Sequence, residues 1–238
     1  MKKFLIFLCS VFFLFGFVCP VSASPVFFGP TPYLSSADIP ANFYGSGSTP
    51  VIEDFEDGTL DIGITASYGY VNTTGALLDY PDSVDADDGS IDGSGSTGYS
   101  WFYGGGSTGV TFTFSSPVTA AGMVWTDGWG TTTFEAFGAG MISLGTIGPV
   151  AIADGSQDGG TAEDRFFGVQ DLDGLLAIKL SNTYSSGIEI DHLQFGEAFR
   201  SIEPFGSGGP QTVPEPATML LLGTGLVGLA GFRRKFKK

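Results

Sequence analysis

The sequence predicts an all-β chain, folded as a single two-sheet β-sandwich of the jelly-roll kind, and three observations lead there. Between residues 51 and 197 apolar side chains recur at period two, and no stretch sustains a helical period. Val110, Phe112 and Phe114 alternate with Thr111, Thr113 and Ser115, and Leu176, Ile178 and Leu180 with Ala177, Lys179 and Ser181, so each run sets its large side chains on one face. Gly, Thr, Ser and Asp fill the intervals, which breaks the pattern into ten short strands, the pattern of two packed sheets.

Taken in order, strands are expected at 51–56, 61–71, 99–103, 109–115, 120–126, 131–137, 141–147, 164–169, 174–181 and 187–195. Ahead of them, residues 24–50 are rich in Pro, Gly and Ser and are expected to be loosely held, with one edge strand near 24–28. The β-domain is set at 51–204, and a body of this size buries roughly 70% of its unfolded surface around one core. Residues 205–212 have linker composition. The last strand is irregular: Ile188 and Ile190 fall on even positions but Leu193 and Phe195 on odd ones, so the inward phase slips by one near Asp191 and His192. A β-bulge produces such a slip and re-aims a side chain, here Asp191.

Both ends of the chain read as addresses. Lys2 and Lys3 precede an apolar run over 4–18, and Val21, Ser22 and Ala23 suit a signal peptidase, which gives a signal peptide at 1–23 cleaved after Ala23. Cys9 and Cys19 both lie inside it, so the mature body has neither disulfide nor thiol chemistry. Phe17 and Val18 are too bulky for Cys19 to be a lipidation site. At the other end an apolar run at 217–232, broken only by Thr218 and Thr224, stops at Arg233, Arg234, Lys235, Lys237 and Lys238. A helix of that length covers roughly 24 Å, slightly less than the ~30 Å hydrocarbon core of a bilayer. The basic stop favours the cytoplasmic side and leaves the preceding chain outside.

Immediately before that helix stand Val213, Pro214, Glu215 and Pro216, and immediately after it Arg233, Arg234 and Lys235. Tripeptide, Gly-rich apolar helix and basic stop, in this order and at the C-terminus, resemble the PEP-CTERM sorting signal of Gram-negative bacteria over residues 213–238. The resemblance implies recognition by an exosortase, a membrane-embedded transpeptidase-like cysteine enzyme. It further implies cleavage near the tripeptide, delivery to the cell surface or matrix, and association with exopolysaccharide.

Within residues 24–212 only Arg165, Lys179 and Arg200 stand against 24 acids, an excess of 21 negative charges. Such a body repels nucleic acid and anionic lipid, while attracting divalent cations. The first candidate metal ligands are Glu53 and Asp54 on the first clear strand and Asp191 on the last, since the first and last strands of a sandwich are commonly neighbours. Ca²⁺ suits an oxygen-only set, whereas one histidine and no mature cysteine make a poor Zn²⁺ site. The arrangement loosely resembles the structural calcium site of β-sandwich carbohydrate-binding modules. A second acidic run offers Asp85, Asp87 and Asp88, although Gly89 and Ser96 depart from an EF-hand loop.

For ligand recognition the aromatic residues matter most. Trp125 is expected to face inward and Trp129 to stand in a Gly-rich turn beside Asp127, where a sugar ring can stack while a carboxylate takes its hydroxyls. Tyr99, Trp101 and Tyr103, which alternate with Ser100 and Phe102, offer a second stripe. Catalysis has little support, because His192 is the single histidine and no nucleophile motif accompanies it. Glu135 and Glu163 are carboxylates of the kind glycosidases use, in settings that suit a strand face or an ion pair. The expected function is a non-catalytic, Ca²⁺-stabilised carbohydrate-binding or adhesive surface module. A matrix protein without a defined ligand and a glycosidase are the alternatives.

Overall fold

The computed structural model describes residues 23–72, 84, 101–152, 164–184 and 187–199. Among them run ten strands: β1 (Val26–Pro32), β2 (Val51–Glu53), β3 (Ile64–Ala66), β4 (Tyr70–Asn72), β5 (Trp101–Gly105), β6 (Val110–Gly128), β7 (Thr132–Phe137), β8 (Ser143–Val150), β9 (Arg165–Asn182) and β10 (Gly187–Gly196). They form one large hydrogen-bonded sheet in the order β4-β5-β10-β6-β9-β7-β8, to which β1 adds on β9, β2 on β10 and β3 on β6. The ladders are antiparallel, as the alternating apolar and hydroxyl side chains require.

Two pairs of expected strands are single long strands. Segments 109–115 and 120–126 belong to the 19-residue β6, and 164–169 and 174–181 to the 18-residue β9. The sequence between them resembles turns because it is built from residues that bend a strand. Pairing runs from Thr113↔Ala177 through Val118↔Leu175 to Ala120↔Gln170, so each strand bulges where the other does not. Pro117 sits inside that irregularity, where it interrupts no regular ladder. Gly174 opposite has φ of 104°, and a Cβ there would lie 3.2 Å from Pro117 Cβ. Conversely, the expected strand at 61–71 divides into β3 and β4.

The central strands are buried on both faces. Ala121, Met123 and Trp125 of β6 enter the main core with Phe112, Phe167, Ile178, Ile190 and Leu193. Ala120 and Val124 face a second core with Phe166, Tyr33 and Phe43. Residues 120–126 are therefore buried without interruption.

The cover over the second core comes from residues 24–50, and here the expectation of a loosely held segment is corrected. Its edge strand exists and is longer than foreseen, Val26–Pro32. Tyr33 and Phe43 are fully buried, and the Phe43 ring meets Phe28 at 5.0 Å and Phe166 at 5.1 Å. Two glycines make the room: Gly122 and Gly168 are register partners, and a Cβ at Gly168 would come within 2.7 Å of both the Phe43 and the Phe166 rings. A Ser35/Asp38 capping box then fixes the 3₁₀ turn Ser36–Asp38.

The compact unit that holds the sheet ends at Phe199, and the expected boundary at 204 lies outside the described residues. Among the described residues no helix is long and apolar enough to cross a membrane. The helix expected at 217–232, the linker expected at 205–212 and residues 1–22 of the expected signal peptide lie outside the described residues.

Candidate functional site

The phase slip in the last strand is a bulge. Asp191 pairs with Val124 and Gln194 with Gly122, so three steps along β10 match two along β6. His192 carries the irregularity, with φ of 42°, a left-handed value uncommon for a residue with a side chain. As a result Ile190 and Leu193 both reach the main core. Asp191, His192 and Gln194 are buried in a polar network instead. Asp191 Oδ1 accepts from the His192 N–H at 2.6 Å and Oδ2 from the Val84 N–H at 2.8 Å. His192 Nδ1 lies 3.0 Å from the Tyr33 hydroxyl, Gln194 Nε2 donates to the His192 carbonyl at 3.3 Å, and the Tyr44 hydroxyl donates to Gln194 Oε1 at 3.3 Å. Burial, and then Tyr33, push the Tyr44 phenol up, which keeps it a donor. The bulge thus latches residues 33–44 onto the sheet.

The first and last of the strands expected from the sequence are neighbours: β2 pairs with β10, with Glu53 opposite Leu193. Glu53 and Asp191 therefore stand on adjacent strands, two residues apart in register. Each, however, accepts a backbone N–H at both of its oxygens. Glu53 Oε1 accepts from the Phe55 N–H at 2.7 Å and Oε2 from the Asp61 N–H at 2.5 Å, which closes the 54–61 loop over the buried Phe55. Burial pushes the Glu53 carboxyl up; the two donors counter this in part, and Asp61 and Asp57 add to the rise. Asp54 is exposed and accepts from the Glu56 N–H at 3.2 Å. Among the described residues no group of three His, Cys, Asp or Glu side chains is placed to hold a metal ion. Asp85, Asp87 and Asp88 lie outside the described residues, as does Glu163. Glu135 accepts from the Ser143 hydroxyl at 2.6 Å and stands opposite Lys179, a strand-face arrangement.

Trp125 is fully buried, and Trp129, in the turn beyond the strand, is 46% exposed. Asp127 Oδ1 accepts from the Gly128 N–H, which shapes the entry to the turn. The turn is clamped to the one after β9: the Thr131 N–H donates to Thr183 Oγ1 at 2.9 Å and the Thr183 N–H to the Thr131 carbonyl at 3.0 Å. Tyr184, 95% exposed, stands on that second turn. Trp101 is not brought to this place. It pairs with Asn72 at one end of β5, whereas Gly105 at the other end faces Gly187, next to the Ile188 that pairs with Gly128.

A family model for the PEP-CTERM protein-sorting motif matches residues 212–235. The chain carries a PEP-CTERM sorting motif. Val213, Pro214, Glu215, Pro216, Arg233, Arg234 and Lys235 all fall within the match. No curated protein and no solved structure matches the chain. The PEP-CTERM motif makes this an exported protein that an exosortase sorts and that the membrane anchors only until processing. What it delivers is the β-rich body, which closes at Phe199, ahead of the motif.

On that PEP-CTERM body, sequence reasoning missed Tyr68 and Tyr70, which are 63% and 59% exposed, Tyr70 beside Tyr103. No alternation marks them, since Tyr68 lies in a bend and Gly69, with φ of 116°, separates it from β4.

Proposed function

We propose that the exported body is a non-catalytic module that binds polysaccharide at the cell surface or in the extracellular matrix of a Gram-negative bacterium. It leaves the cytoplasm behind a signal peptide at 1–23 and loses its membrane anchor when the exosortase acts near residues 213–216. The observation that carries the binding reading is Trp129: a large aromatic 46% exposed on a turn held by hydrogen bonds to a second turn, with Asp127 two residues away. A ring held in this way stacks on a sugar without being ordered first, and a neighbouring carboxylate accepts from hydroxyls. The non-catalytic reading is supported by His192, whose Nδ1 faces the Tyr33 hydroxyl in a buried network. Calcium at Glu53 and Asp191 is not carried into the proposal, because among the described residues no third His, Cys, Asp or Glu side chain joins them.

A two-layered sandwich is the architecture we propose for this body. In a straight ladder the two ends of β9 would stand roughly 55 Å apart. Trp125 pairs with Arg165 at one end, yet a Cβ on nearby Gly128 would lie 3.2 Å from Asn182 Cγ at the other. Folding the β6–β9 pair at its successive bulges accounts for both contacts.

Retention of the full-length protein on the host's own polysaccharide tests the binding reading. Trp129→Ala is expected to abolish retention and leave the thermal unfolding curve in place. Undiminished retention of the variant removes the proposal.

A further inference from the structure

One rung of the sheet runs across four adjacent strands as Tyr70↔Tyr103↔Glu189↔Asp127. Val71, Phe102 and Ile188 alternate with these residues and pack on the main core, so the rung lies on the opposite, outer face. The Tyr70 and Tyr103 rings are 5.7 Å apart, and Tyr68, in the bend just before β4, is 63% exposed. Glycines form the floor beneath them. A Cβ at Gly105 would come 3.0 Å from Tyr68 Cδ1, and one at Gly187 would come 2.6 Å from Tyr103 Cε2. The rings therefore lie over bare backbone, and Gly105 and Gly187 are themselves register partners.

Half of this rung is aromatic and half is anionic. Sugar rings stack on the phenols whatever their charge. The two adjacent carboxylates and the body's 21 excess negative charges repel an acidic polysaccharide, add little for a neutral one and attract a positive one. An ammonium group also gains from the face of a tyrosine ring. We infer that this rung binds a polysaccharide of amino sugars carrying free, protonated amines, with sugar rings on Tyr68, Tyr70 and Tyr103 and amines at Glu189 and Asp127. The inference rests on the polysaccharide-binding reading above, which it extends from the Trp129 turn through the shared Asp127.

The test is calorimetric titration of the full-length protein with hexamers of glucosamine, N-acetylglucosamine and glucose and with hexalysine, at mildly acidic pH. The glucosamine hexamer is expected to bind at least about tenfold more tightly than each of the others, an advantage that shrinks as salt rises to about 0.5 M. Replacing Glu189→Gln together with Asp127→Asn erases that advantage and leaves the acetylated hexamer's affinity unchanged. Replacing Tyr68→Ser together with Tyr70→Ser weakens all the sugars. Equal binding of the three sugar hexamers by the unaltered protein overturns the amino-sugar inference and leaves sugar binding standing. Hexalysine binding as tightly as glucosamine makes the partner a cationic peptide and overturns it too. Binding of none of the sugars removes both readings.

Discussion

Glu53 sits where burial and backbone donors oppose one another, and burial prevails. Its folded-state value is raised above the ordinary 4.5, so between about that pH and the raised value the folded chain holds more protons than the unfolded one. Stability attributable to Glu53 therefore falls as pH rises through this window. Urea unfolding of Glu53→Gln between pH about 4.5 and 7 is expected to show a smaller loss of stability with rising pH than the parent. An equal loss in both contradicts the assignment. Asp191 offers a second test, because Asp191→Ala would leave the buried Val84 and His192 N–H groups without their carboxylate acceptor. A loss of about 2–4 kcal/mol is expected for Asp191→Ala, against less than about 0.5 kcal/mol for the exposed Asp54→Ala, both measured by denaturant titration.

At the level of strands, the Gly122–Gly168 pair decides whether the N-terminal segment can dock. Gly168→Ala would press on the Phe43 and Phe166 rings at once. It is expected to cost about 1–3 kcal/mol and to raise amide exchange at Gly45, whose N–H donates to the Glu197 carbonyl. Exchange that rises uniformly over the sheet would speak against a locally docked segment. The existence of the strands was legible because one face of each is apolar, and the bulge at His192 because Ile190 and Leu193 must both point inward. The continuity of β6 and β9 was hidden, since Ser115, Ser116 and Pro117 have the chemistry of a turn whether the strand ends or only bends there. The docking of residues 33–44 was hidden for another reason. Tyr33 and Phe43 are single anchors without a period, and their places are set by glycines more than 70 residues away in sequence. For the site, the exposure of Trp129 followed from its place in a Gly-rich turn, but the bonding of Glu53 and Asp191 to backbone N–H groups depends on loop paths that no spacing rule encodes.

Over the whole molecule, the excess of 21 negative charges on residues 24–212 repels itself in the compact state. The thermal midpoint of the full-length protein is expected to rise between about 0.01 and 0.5 M salt, as the screening length falls well below the size of the body. A midpoint that falls with salt would mean that attractive ion pairs outweigh the repulsion. The same charge pattern separates an acidic body from two short basic ends, the N-terminal Lys2 and Lys3 and the cluster after Phe232, the second of which begins inside the sorting motif. The PEP-CTERM motif at 212–235 makes delivery outside the cytoplasm the premise of every functional statement about the body. Intact mass of the protein recovered from its native host's surface tests that premise most directly. The account predicts a polypeptide that begins at Ser24 and ends near residues 213–216; one that still begins at Met1 or still ends at Lys238 would contradict it.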